Sequence, residues 1–93
     1  MLSLEYTYPF DLDWTKDEII HVITFFQQVE KAYETGVKRE SFMKAYRNFK
    51  KVVPSIAEEK KMDATFEKES GYSSYRALQE AKRTADGDSF RIK

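Results

Sequence analysis

The sequence predicts an all-α domain: a compact four-helix bundle-like fold with an extended aromatic N-terminal strap. Three observations carry that prediction. Apolar residues recur at helical spacing along four stretches. Those stretches are bounded by capping residues and by Gly36, Pro54, Gly71 and Gly87, which punctuate helices. The connections between them are short, which favours antiparallel neighbours. With 93 residues there is enough chain for one hydrophobic core and not for two.

The first fourteen residues read as an extended arm. Leu2, Leu4, Tyr6, Tyr8, Phe10, Leu12 and Trp14 fall at every second position, a period of two that puts one apolar side on an extended chain. Pro9 excludes a central strand and allows an edge or an irregular strap. The strap is expected to pack across the helices; the alternative is donation to a second subunit.

Residues 16–35 form the helix around which the rest gathers. Thr15 and Glu18 have capping-box spacing, and Trp14 with Ile19 has that of a hydrophobic staple. Asp17 and Glu18 suit the positive end of the helix dipole, and Gly36 can end the helix in left-handed conformation. Ile19, Val22, Ile23, Phe26, Val29 and Tyr33 make the apolar stripe, widened by Ile20, Phe25 and Ala32. His21, Thr24, Gln28 and Lys31 form a narrower polar face. A helix this apolar is surrounded by others, and burying half a dozen such side chains contributes on the order of 10 kcal/mol before conformational entropy opposes it.

The second helix, 39–53, aligns Phe42, Met43, Tyr46, Phe49, Val52 and Val53, starts at the poor cap Lys38, and stops at Pro54. Ser55 and Glu58 repeat the capping-box spacing and open a third helix, 56–70. Its stripe is thin (Ile56, Met62, Phe66), and its outer surface is charged from Glu58-Glu59-Lys60-Lys61 to Glu67-Lys68-Glu69. Gly71 stops it. Ser73 or Ser74 caps a fourth helix, 74–85, with Tyr75, Leu78, Ala81 and Ala85 inward and Gly87 as terminator. In the tail, 88–93, Phe90 and Ile92 alternate as a docking segment would.

Composition narrows the function classes. The chain is 41% apolar and 34% charged, as in an ordinary soluble domain, with no apolar run near the ~18 residues of a membrane span. The N-terminus lacks the basic start and apolar stretch of a signal peptide, so a cytoplasmic location is expected. With no cysteine there is no disulfide, thiolate metal site or thiol redox chemistry. Net charge is zero but uneven. Residues 1–36 hold seven acidic and two basic side chains; residues 37–61 hold three acidic and eight basic. Such asymmetry marks either a partner surface or mutual attraction within the fold.

No arrangement of residues compels a reaction. His21, the single histidine, falls on the polar face of its helix with no nucleophile motif beside it. Asp11, Asp13, Asp17 and Glu18 begin like a calcium loop, but Lys16 stands where such a loop needs glycine and Val22 where it needs the bidentate glutamate. Helix capping accounts for these acids more simply. No cofactor is expected. Arg39, Lys44, Arg47, Lys50 and Lys51, interleaved with Phe42, Tyr46 and Phe49, form the candidate nucleic-acid segment. The Val53-Pro54-Ser55 junction even resembles a helix-turn-helix bend. Glu58 and Glu59 would nevertheless open the recognition helix with the wrong sign for phosphates. In Gly71-Tyr72-Ser73-Ser74-Tyr75-Arg76, the side chains of Ser73, Ser74 and Arg76 form a candidate anion site at a helix N-terminus. A turn plus helix cap is the plainer reading of the same residues.

Several of these motifs, in order and spacing, resemble a small family. Tyr8-Pro9, Asp13-Trp14-Thr15, Phe25-Phe26, Val29-Glu30, Ala32-Tyr33-Glu34 and Gly36-Val37 look like its front half. Tyr46-Arg47, Phe49-Lys50, Val53-Pro54-Ser55, Glu58-Glu59-Lys60 and Ser70 to Arg76 look like its back half. The chain is similar in this respect to the YktA-like proteins of Gram-positive bacteria. Lys38 departs from the acidic cap expected there. The resemblance implies a compact, all-helical cytoplasmic domain with no assigned activity. The expectation is then a non-enzymatic protein that binds another protein or a second copy of itself, on the strength of fourteen aromatic residues and missing chemistry. Anion or nucleic-acid binding is the alternative, and no membrane partner is expected.

Overall fold

Three of the four helices begin at a residue whose side chain caps them in the computed structural model, which describes residues 13–92. In α1 (Lys16–Glu34) the capping box closes in both directions. The Glu18 amide donates to Thr15 Oγ1 at 3.2 Å, and the Thr15 amide donates to Glu18 Oε1 at 2.8 Å. At the other end Thr35 and Gly36 both donate to the Lys31 carbonyl, with Gly36 at φ 96°. Only glycine takes that conformation without strain.

A two-residue strand, β1 (Val37–Lys38), leads into α2 (Arg39–Val52). It pairs antiparallel with β2 (Ser89–Phe90), Val37 opposite Phe90. Sequence reading did not anticipate this pairing. As expected, Lys38 gives α2 no side-chain cap. The tail compensates: the Arg39 amide donates to the Asp88 carbonyl at 3.0 Å, and the Ile92 amide donates to Ala32 on α1 at 2.8 Å. The 88–93 tail is therefore docked as far as Ile92, with Phe90 and Ile92 buried.

In α3 (Ile56–Ser70), Ser55 Oγ accepts from the Glu58 amide, but Glu58 does not return the bond, so the second capping box is half made. Gly71 ends α3 in left-handed conformation. Ser73, rather than Ser74, caps α4 (Ser74–Arg83). That helix stops two residues before the expected Ala85 because Thr84 turns extended. Gly87 therefore serves a turn closed by the Asp88 amide on the Ala85 carbonyl, rather than the helix end.

The core is aromatic. Phe25 stacks on Phe49 at 4.7 Å between centroids and meets Phe42 edge-on at 5.6 Å. Phe26 contacts Phe49 and Phe66. Val22, Val29, Ala32, Ala77, Leu78 and Ala81 fill around them. Such ring pairs add about 0.5–1.5 kcal/mol each beyond area burial. Two expected inward residues point out: Ile56 is 67% exposed and Tyr75 65% exposed. Both lie in the first turn of their helices, where side chains lean toward the N-terminus and so past the neighbouring helix. Ala85 is exposed because its helix has already ended, and Ile20 lies half-exposed at the edge of its stripe. Trp14 packs partly buried against the core; the rest of the strap, Leu2 to Leu12, lies outside the described residues. Among the described residues no helix is long and apolar enough to cross a membrane.

Candidate functional site

Polar side chains gather in one seam, where α2, α3 and α4 meet. Tyr46 and Lys50 are one turn apart on α2, and Glu59 and Asp63 one turn apart on α3, so each pair shares a face. Tyr46 donates to Glu59 Oε2 at 3.0 Å, and Lys50 Nζ donates to Glu59 Oε1 at 2.7 Å. Lys50 also reaches the Pro54 carbonyl at 3.3 Å. Ser74 Oγ donates to Asp63 Oδ1 at 2.5 Å. The Glu59 and Lys50 side chains are only 14% and 24% exposed, so removing either partner would leave a largely buried charge unpaired.

The electrostatics follow from that burial. Asp63 is pushed up to about 6 by burial, against the lowering effect of the Ser74 hydrogen bond. The Glu59 charge raises it further, Lys50 lowers it, and Glu67 raises it. The Tyr46 phenol is raised by burial, then by its bond to Glu59 and by the Glu59 and Asp63 charges. It stays a hydrogen-bond donor. Perturbed carboxyls of this kind also occur in active sites. Here the bonds run inward: Glu59 answers Tyr46 and Lys50, and Ser74, 2% exposed, answers Asp63. The seam holds helices together.

A second polar group ties the Gly71–Arg76 motif to the end of α1. Tyr33 stacks on Tyr72 at 4.5 Å, with ring planes 10° apart. The Ser73 amide donates to Tyr33 Oη at 3.1 Å, and Tyr72 donates to Glu34 Oε2 at 2.7 Å. Of the candidate anion-binding residues, Ser73 therefore caps α4 and Ser74 is buried on Asp63, while Arg76 is exposed. Both serine hydroxyls are thus engaged within the fold.

The five cations of the candidate nucleic-acid segment part company. Arg39 turns onto α4, its Nε donating to the Ala81 carbonyl at 2.9 Å and its Nη1 to Asp86 at 2.7 Å. It closes the C-terminal end of that helix, where positive charge is favoured. Lys50 belongs to the seam. Lys44, Arg47 and Lys51 remain exposed on α2, and Lys44 and Arg47 line a shallow open groove with Glu40 and Ser41. Spacing of three and four residues sets these cations in one line along the helix. Among the described residues none of the three forms an ion pair.

His21 is half-buried on α1, and Asp13 and Asp17 are exposed at its start; Asp11 lies outside the described residues. Among the described residues no three His, Cys, Asp or Glu side chains gather as a metal site would require. The seam itself was missed in the sequence, where Glu59 reads as outer-surface charge. One signal was available: Glu59, Met62, Asp63 and Phe66 fall on a single helical stripe, so the two acids share a face with the buried phenylalanine.

Comparison with known proteins adds the chain's kinship. A family model described as an uncharacterised protein family, UPF0223, matches residues 5–89. UPF0223 proteins of Staphylococcus aureus strains Newman, JH1 and N315 are each 57% identical over 79 residues, 85% of this chain and 87% of theirs. This bears out the resemblance to a small bacterial family without an assigned function. Matched along most of its length and closely similar to several members, the chain belongs to the UPF0223 family.

Proposed function

We propose that this protein is a non-enzymatic cytoplasmic module that works by binding another protein. The observation that carries the reading is the division of the α2 cations. Arg39 and Lys50 turn into the fold, whereas Lys44, Arg47 and Lys51 line its outer face with no internal partner among the described residues. Arginine is enriched at interface hot spots, and aligned exposed charge steers association. The aromatic surplus supports the reading less than its number suggests. Of the described aromatic residues, Tyr75 alone is exposed; the others build the core and its margins.

A second reading, anion or nucleic-acid binding, draws on the same three cations. Against it, the aromatic neighbours Phe42 and Phe49 are fully buried and offer no stacking platform. The test is photo-crosslinking in cells, with the reactive residue placed at Glu40 or Ser41 on α2, or at Lys68 on α3. The expected result is one discrete protein adduct from the α2 positions and none from α3. No protein adduct from any position would overturn the reading.

A further inference from the structure

We propose that the outer face of α2 is a docking strip for an acidic helix of a partner protein, with Lys44, Arg47 and Lys51 each meeting a carboxylate. This rests on the binding-module reading and goes beyond it by naming the surface and the partner's chemistry. The argument is charge complementarity on a line of fixed length.

Exposed lysines are common, so the pattern decides. On the outside of α3, acids and bases are mixed: Glu58, Lys60, Lys61, Glu67, Lys68 and Glu69 are all exposed. Both signs occur at each end of that surface, which is how a solvated face looks. Along α2, the line after Glu40 carries cations alone, at positions 44, 47 and 51. The line spans roughly 10 Å, about two helical turns. A partner helix with carboxylates at i, i+3 and i+7 presents the same period, so the two rows can face each other. Ser41 lies beside Lys44 and Arg47 in the groove and adds a hydroxyl able to donate or accept.

The rest of the molecule selects a short acidic segment over a long polyanion. Total charge is zero, and the first 36 residues hold seven acids against two bases. α1, which carries most of them, packs against α2. The strip belongs to a molecule without net positive charge, and Glu40 stands at one end of it, whereas a long polyanion is favoured by a wider basic field. A helix of two to three turns needs only the strip.

The probe is a fluorescein-labelled alanine-based helical peptide with glutamates at i, i+3 and i+7, compared by anisotropy at low salt with its glutamine counterpart. The expected result is binding of the glutamate peptide alone, weakened about ten-fold by Lys44→Gln/Arg47→Gln/Lys51→Gln and unchanged by Lys60→Gln/Lys68→Gln. All five positions are exposed, and circular dichroism verifies the fold of each variant. Equal binding of both peptides, or no effect of the α2 triple variant, would overturn the proposal. So would tighter binding of a 20-nucleotide RNA than of the peptide, which would make the strip a polyanion site. Loss of self-association in the triple variant, seen by sedimentation, would replace the external partner with a second copy. An in-cell protein adduct that survives the triple variant would sink this strip while leaving the binding-module reading in place.

Discussion

The packing of α1 on α2 and the attachment of α3 to α2 and α4 are held by different forces. Between α1 and α2 the contact is rings on rings: Phe25 and Phe26 against Phe42 and Phe49, all buried. α3 puts one fully buried side chain, Phe66, into that core and is otherwise fixed by Glu59 and Asp63 reaching Tyr46, Lys50 and Ser74. Apolar packing has no preferred direction, whereas hydrogen bonds fix angle and register. The aromatic contact, the first half of this contrast, thus supplies mainly stability, and the polar attachment of α3, the second half, supplies mainly position. The first half should respond to lost volume, the second to lost partners and to pH.

The largest effect tests the first half. Phe49→Ala removes a ring that touches Phe25, Phe26 and Tyr46, and the expected cost is about 3–5 kcal/mol, read from urea denaturation. A loss under about 1 kcal/mol would show that the aromatic cluster does not dominate stability. Lys50→Ala tests the second half by leaving the buried Glu59 carboxylate without its cation. The expected cost is about 1–3 kcal/mol, accompanied by faster amide exchange in α3 than in α1. Equal acceleration in both helices would erase the distinction between the halves.

The smallest effect is pH-dependent, and it belongs to Asp63. Its folded value, about 6, lies above the ordinary 3.8, so between these values the folded chain holds more protons than the unfolded one. The stabilising contribution of this group is complete below about 3.8 and is lost as pH rises through about 6. Because Asp63 is partly exposed, the loss is on the order of 1 kcal/mol. Denaturation of wild type and Asp63→Asn across this range, taken as a difference so that the other carboxylates cancel, should show the variant gaining on wild type as pH rises. The opposite slope would mean that Lys50 and Ser74 outweigh burial.

Much of the first half was legible in the sequence, because its signals are local. Thr15 and Glu18 lie three residues apart and need no tertiary partner to form their box, and the α1 stripe names its own buried face. The seam was harder to read, since Glu59 and Asp63 become inward residues only when Lys50 and Ser74 arrive from other helices. Tyr75 and Ile56 were misplaced because helical periodicity does not account for the backward lean of first-turn side chains. The β1–β2 pairing joins Val37 to Phe90 across three helices, a distance at which no local pattern speaks.

That pairing also orders the folding process. Joining Val37 to Phe90 and Ala32 to Ile92 closes a loop containing most of the chain, while α1 and α2 meet across a connection of a few residues. Loop closure must be accomplished before distant contacts can contribute, so the helical hairpin is expected to collapse early and the clasp to fasten late. The Arg39 amide at the start of α2 donates to the tail, so this helix end is expected to gain protection last during refolding, which pulse-labelling hydrogen exchange would check.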